Sequence, residues 1–219
     1  MSRVYNTLEE IRMKIAARCG FGGSAAASSV NAALLNSFIE SAQLQIWEEC
    51  NWNQLIKIAD KTLGYEQNTL EYPADCDPDR VIEVSVQDGN VWRALQRGID
   101  TCHRTYMDQL GVPMRWEMFS VAEFFPKADQ VYNVRIRYVA RPPRLTNDKD
   151  RVVIDDQLVF LHALANAKMH YRQPDAQSIA AQYQSLLTKL KGRARGKLVH
   201  RRGADNFDID AMYSRPVRE

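Results

Sequence analysis

Apolar side chains recur with a helical period between Asn31 and Cys50 and with a strand period between Gln130 and Ala140. A chain carrying both patterns has to bury a helix face and a sheet face in one fold. In the first stretch Leu35, Phe38, Ile39, Ala42 and Ile46 fall at i, i+3, i+4, i+7 and i+11 and share one side. Gln43, Gln45, Glu48 and Glu49 decorate the other. In the second, Tyr132, Val134, Ile136 and Tyr138 point one way, and Asn133, Arg135 and Arg137 point the other. That alternation describes an antiparallel sheet with one wet face. Trp47 and Trp52 flank the exit of the helix, where two indoles are expected to wedge it against the sheet.

Shorter signals complete the order of elements. Thr7 and Glu10 have capping-box spacing, so Thr7 to Arg18 reads as a helix with Leu8, Ile11 and Ile15 inward. Gly20, Gly22 and Gly23 end it, and the Ser/Ala run 24–29 is a link. From Lys61 the period moves towards two. One strand ends at Leu70, Tyr72 and Pro73, and Val81 to Gln87 is another. Asp88-Gly89-Asn90 is a hairpin turn, and Val91 to Leu95 returns. Ile99 to Leu110 reads as a helix broken by Gly111-Val112-Pro113, Arg115 to Val121 as a strand, and Phe124-Phe125-Pro126 as a corner. Arg141-Pro142-Pro143 closes the sheet, because proline cannot donate to a ladder.

Asp155, as a cap, opens a helix to about Tyr171 with Leu158, Leu161, Leu164 and Ala165 inward. Pro174 suits the first turn of the last helix. That helix runs to about Lys191 on Ile179, Tyr183, Leu186, Leu187 and Leu190, and stops at Gly192. A link this short makes the two an antiparallel hairpin. The fold class is therefore α+β. A helical bundle (1–60 and 142–191) carries an inserted antiparallel sheet of roughly four strands (61–141), followed by an extended basic arm (192–219).

Charge marks out that arm. The 219 residues carry a net +2, yet Lys189, Lys191, Arg193, Arg195, Lys197, Arg201 and Arg202 follow one another with no acidic residue between them. Beyond them Val199, Phe207, Ile209, Met212 and Tyr213 stand as single anchors in polar sequence. Such a segment orders on a partner, a polyanion or an acidic protein surface. The arm lacks aromatics interleaved with its charges, which disfavours stacking on a single strand of nucleic acid. Protein docking is the better reading, because anchors follow the charges. A nucleic-acid-binding module acting through this tail is the alternative. Cys19, Cys50, Cys76 and Cys102 form no CxxC pair and read as thiols of a reducing compartment. Glu9, Glu10, Arg12 and Lys14 interrupt any signal core, no stretch is long enough to span a bilayer, and synthesis in the cytoplasm is expected.

Candidate chemistry is sparse, and neither catalytic residues, a metal site nor a cofactor is expected. His162 and His170 lie two helical turns apart without further ligands. Cys102 and His103 are neighbours pointing about 100° apart on a helix, with no third orienting group readable. The Asp75/Asp77/Asp79 set has Pro78 and lacks the glycine and terminal glutamate of a calcium loop. Carboxylates at Glu48/Glu49, Asp155/Asp156 and Asp205/Asp208/Asp210 are sequence neighbours and define no cleft, so a hydrolase is the weaker alternative. Gly20-Phe21-Gly22-Gly23 lacks the strand and the Gly-Lys-Ser/Thr of a phosphate loop.

The run Leu34 to Trp47, then Asn51-Trp52, resembles the opening helix of tailed-phage head-to-tail adaptor (head-completion) proteins. Leu70-Glu71-Tyr72-Pro73-Ala74-Asp75 resembles the family's proline corner, with Tyr72 where leucine is commoner. Gly111-Val112-Pro113, Phe125-Pro126 with Val131 to Tyr138, and the closing helices 155–171 and 174–191 follow in the family's order. The resemblance covers roughly residues 30–191. It implies a structural virion protein at the head–tail interface. Such proteins form a homo-oligomeric ring, commonly dodecameric, beneath the portal protein. They close the packaged head, extend the DNA channel without sequence-specific binding, and attach tail (nozzle or tail-tube) proteins, with no membrane involved. In that setting Arg193, Arg195, Lys197, Arg201, Arg202, Phe207 and Tyr213 would dock on the portal. Arg135 and Arg137 would face the lumen or a neighbouring subunit.

Overall fold

Thr7 opens the first helix as its spacing requires. Its Oγ1 accepts from the Glu10 amide at 3.2 Å, and its own amide donates to Glu10 Oε2 at 2.9 Å. The structure is a computed structural model that describes residues 5–21 and 29–194. Helix α1 (Leu8–Arg18) ends in a Schellman turn. Gly20 takes φ +82°, while the Phe21 and Gly20 amides donate back to Ala16 and Ala17. Helix α2 (Ser29–Glu49) is the longest. A 3-10 turn (Asn53–Leu55) leads into strand β1 (Ile56–Leu63), five residues before the period change suggests. Its full length is explained by pairing, since it matches β10 without a break from Ile56↔Val139 to Leu63↔Tyr132.

The remaining strands are β2 (Thr69–Leu70), β3 (Cys76–Asp88), β4 (Val91–Ala94), β5 (Gln96–Arg97), β6 (Leu110–Gly111), β7 (Arg115–Met118), β8 (Ala122–Phe125), β9 (Lys127–Ala128) and β10 (Tyr132–Ala140). They form an antiparallel sheet in the order β1-β10-β3-β4, a second in the order β2-β8-β7-β5, and the small pair β6-β9. The strand count thus exceeds the expected four, and the β5–β7 and β6–β9 contacts are parallel. The β3–β4 hairpin turns at Gly89, with φ +59° at the first central position. The corner expected at Phe124-Phe125-Pro126 is narrower: both phenylalanines belong to β8, and the turn follows at a cis Phe125–Pro126 bond.

The helix expected over 99–110 shrinks to α3 (Thr101–Thr105). This stretch buries none of its helical residues, so no apolar face pins a longer helix. Asp155 caps α4 (Asp156–His170) through the Leu158 amide at 3.2 Å. The last helix, α5 (Ala176–Ala194), starts two residues after Pro174, with the Asp175 carbonyl accepting from Ile179. It runs through Gly192, because a glycine in an exposed final turn weakens a helix without breaking it.

Two cores result. The bundle core joins Leu8, Ile11, Ile15, Leu35, Ile39, Ile46, Ile154, Leu158 and Leu164 from α1, α2, the 141–155 loop and α4, with Ile179, Tyr183 and Leu187 of α5. Phe38, expected inside, is only half-buried, with its ring 5.7 Å from that of His170 at the margin of the stripe. The second core joins inward residues of both large sheets: Leu63, Val84, Val86, Val134 and Ile136 against Trp116, Ala122 and Phe124. The 141–155 loop is tied to α1. Asp150 and Asp148 carbonyls accept from the Leu8 and Glu9 amides, and Arg12 meets the Asp148 carboxylate at 2.7 Å. Open donors at a helix start are thereby satisfied from across the chain.

Candidate functional site

The joint between bundle and sheet is built from two tryptophans and one arginine. Trp47 Nε1 donates to the Ala140 carbonyl at the end of β10, at 3.1 Å, and Trp52 Nε1 donates to the Ile46 carbonyl at 2.7 Å. Both rings are buried. The wedge expected at this helix exit is therefore present. Arg80 of β3 completes it, a role that no spacing announces. Its guanidinium donates to the Trp47 and Glu48 carbonyls, each at 2.6 Å, and lies 4.5 Å from the centre of the Trp47 ring. A cation on the open carbonyls of a helix C-terminus meets the negative end of the helix dipole. The joint therefore combines a cap, a cation–π contact and indole hydrogen bonds, and it sets the angle between the two halves.

The outer face of β1-β10-β3-β4 is polar and ordered. Arg135 holds Asp60 across the β1–β10 pair with two bonds of 2.7 and 2.8 Å, and lies 4.1 Å from the centre of the Trp92 ring on β4. This pairing pulls the Asp60 carboxyl below its ordinary range and raises the Arg135 guanidinium. Arg137 faces Glu83 more loosely, at 4.0 Å. Between them Asn53, Ile56, Ile58, Ser85 and these charges line a shallow concavity of about 500 Å³. Ile58 is 61% exposed on its wall. Both arginines occupy the wet face read from the alternation.

The candidate reactive groups mostly resolve into structural ties. Asp75 accepts from Lys57 at 2.6 Å and from the Tyr138 hydroxyl at 2.7 Å, which hold its carboxyl low. Asp77 lies between Arg80 and Arg141. His162 and His170 do not converge: His162 packs on Tyr183 at 4.4 Å, and His170 on Phe38 and Tyr171. Burial pushes the His162 imidazole down, and its Nδ1 finds no partner among the described residues.

Asp100, Cys102 and His103 do come together, at the first turn of α3, where Asp100 and His103 are three residues apart. Cys102 Sγ is 3.6 Å and an Asp100 oxygen 3.7 Å from the same nitrogen, His103 Nδ1. A nucleophile–base–orienter relay needs the imidazole to use two different nitrogens, so this is not one. The three groups could offer a metal one ligand each. Arg115 lies 3.7 Å from the same Asp100 oxygen and competes for it.

At the C-terminal end of α5, Arg193 is exposed. Lys191 forms an ion pair with Glu49, which brings the ends of α5 and α2 together beside the joint. Arg195, Lys197, Arg201, Arg202, Phe207 and Tyr213 lie outside the described residues. The family model described as SU10 adaptor protein matches residues 6–217, nearly the whole chain. The chain belongs to the SU10 adaptor protein family. This is a phage head-to-tail adaptor family, so the protein has a structural role as a phage adaptor at the virion head–tail interface. Membership implies interaction with portal and tail proteins. A search of curated proteins finds no match.

Proposed function

We propose that copies of this chain assemble into a ring beneath the portal, dodecameric as the family resemblance suggests. The ring closes the packaged head, prolongs the DNA channel and seats tail proteins. Residues 192–219 dock on the portal, with Arg193, Arg195, Lys197, Arg201 and Arg202 supplying charge and Phe207 and Tyr213 supplying anchors. The bundle (1–60 and 142–191) meets neighbouring subunits, and the sheet domain (61–141) faces the tail. Arg137, whose pairing with Glu83 is loose, is the better placed of the two arginines to contact a neighbour, since Arg135 is committed to Asp60 and Trp92.

The observation that carries this reading is the family match across 6–217. The joint supports it, because a ring closes only when each subunit repeats the same rotation. Electron microscopy of the chain mixed with purified portal rings tests it. The expected outcome is a ring of added density under the portal, lost when residues 195–219 are deleted although the remainder stays folded. Steeply salt-dependent DNA binding by the monomer, with undecorated portals, would overturn it.

A further inference from the structure

A carboxylate, a thiol and an imidazole meet on one turn of chain beside the second sheet. Asp100 Oδ2 lies 3.7 Å from His103 Nδ1, and Cys102 Sγ lies 3.6 Å from the same nitrogen. The three ligand atoms all fall within 4.8 Å of one another. The Asp100–His103 separation is too long for a hydrogen bond. It is close to the spacing of two ligands on one metal. A tetrahedral zinc ion, with Zn–S about 2.3 Å and Zn–N or Zn–O about 2.0 Å, sets neighbouring ligand atoms about 3.3–3.6 Å apart. The remaining closure is a small side-chain rotation, and Asp100 and Cys102 are both exposed.

Local structure leaves these groups uncommitted. Asp100 is the N-cap residue of α3, yet its carboxylate caps none of the helix amides. The usual partner of such a cap is the amide of the second or third helical residue, here Cys102 or His103. The carboxylate instead faces the His103 ring. Cys102 carries a free thiol. The His103 ring packs edge-on against Phe125 of β8, with centres 4.9 Å apart, which limits its rotation.

Arg115 is the competitor. It stands 3.7 Å from Asp100 Oδ2, while its shorter bond goes to the Gly98 carbonyl at 3.1 Å. An ionised carboxylate accepts about four partners, so Asp100 has room for Arg115 and a metal together.

We propose, against the expectation from sequence, that Asp100, Cys102 and His103 bind a divalent cation of the zinc type through Oδ2, Sγ and Nδ1, with water in the fourth position. The donor set selects the metal. A thiolate and an imidazole favour zinc over calcium or magnesium, which take oxygen ligands. On binding, the Cys102 thiol gives its proton to solvent, and the neutral imidazole keeps its own on Nε2. Thiolate and carboxylate then cancel the charge of the ion. The site ties down a helix that packing leaves loose, since α3 buries none of its residues.

Titration of the reduced full-length protein with Co2+, a spectroscopic stand-in for zinc, tests the site. The expected result is a sulfur-to-cobalt charge-transfer band in the ultraviolet, together with the intense visible bands of four-coordinate cobalt. Zn2+ should bleach both. Cys102→Ser should abolish the charge-transfer band, and Cys50→Ser should leave it intact. Asp100→Asn and His103→Ala should each weaken Co2+ binding by more than about tenfold. Absence of the band in the wild-type chain, its survival in Cys102→Ser, its loss in Cys50→Ser, or unchanged affinity in Asp100→Asn or His103→Ala overturns the proposal. None of the three side chains is buried, so the variants should keep the wild-type far-ultraviolet circular dichroism. A second measurement needs no variant. Zn2+ should slow iodoacetamide labelling of Cys102 by about tenfold or more, read by peptide mass spectrometry, because a coordinated thiolate is a poor nucleophile. Labelling of Cys102 that is the same with and without Zn2+ overturns the site as well.

Discussion

The bundle and the sheet domain bury their apolar surface in different ways, and the contrast shows where an assembly protein keeps its working surface. In the bundle, α2 is covered by α1 on one side and α4 on another, and Leu35, Ile39, Ala42 and Ile46 are fully buried. In the sheet domain, β10 buries Val134 and Ile136 fully on its inner face, whereas on the other face Val139 enters the bundle core and Arg135 and Arg137 line an open concavity. The bundle spends its helices on stability. The sheet keeps a charged, shallowly concave face on which Arg135 is already paired with Asp60, available to another molecule at little reorganisation cost.

The largest effects should come from the two cores. Ile39→Ala in the bundle and Ile136→Ala in the sheet should each cost about 2–5 kcal/mol in urea unfolding. Both should lower the midpoint of one shared transition, because Trp47, Arg80 and Ala140 bind the halves together. Two separate transitions would break the picture of a rigid joint. Phe38→Ala should cost less than either, since Phe38 is half-buried.

Arg80→Met sharpens the same point by keeping bulk and removing charge. It should cost about 2 kcal/mol, the scale of a charged hydrogen bond at a helix end. It should also impair ring formation more than Ile136→Ala does. Equal effects on assembly would mean that the joint contributes stability alone.

Acid should act on the bundle first. The folded-state pKa of His162 is lowered by burial, so its contribution is fully present above the unfolded value near 6.5 and is lost as pH falls through the folded value. Stability should therefore decline on acidification below about pH 6.5. That slope should vanish in His162→Phe, measured by thermal melts at stepped pH. A second loss below about pH 4 should follow from Asp75 and Asp175, whose carboxyls are held low by Lys57 and Lys168.

The smallest effect is expected at Tyr72, the corner residue that departs from the commoner leucine. Its hydroxyl is buried without a partner among the described residues, and burial pushes its pKa up to about 12. Tyr72→Phe should leave stability unchanged or raise it by up to about 1 kcal/mol, since an unsatisfied group is removed. A clear loss would reveal an unseen partner.

Residues whose effect is local were legible from the sequence. Thr7 and Asp155 cap as their spacing requires, because a cap involves only the first turn of its own helix. Most of the faces of α2 and β10 follow from periodicity, because side-chain direction along a regular element is set by backbone geometry; Gln43, expected on the polar side of α2, is instead buried, donating to the Pro143 carbonyl and accepting from the Val153 amide. What escaped was set by partners distant in the chain. β1 gains its first five residues by pairing with β10. The expected 99–110 helix fails for want of a surface to cover. Arg80 becomes a helix cap only because β3 passes the end of α2. Asp100, Cys102 and His103, by contrast, meet within the first turn of α3, where Asp100 and His103 stand three residues apart.

By itself the sequence determined the order of the long helices and of the main strands, most of their wet and dry faces and the family to which the chain belongs, since each of these is written in local spacing. The tertiary structure alone decided which edge stays open, which charges are already matched, and the angle at which bundle and sheet are joined. Those depend on contacts between residues tens of positions apart, which no local pattern encodes.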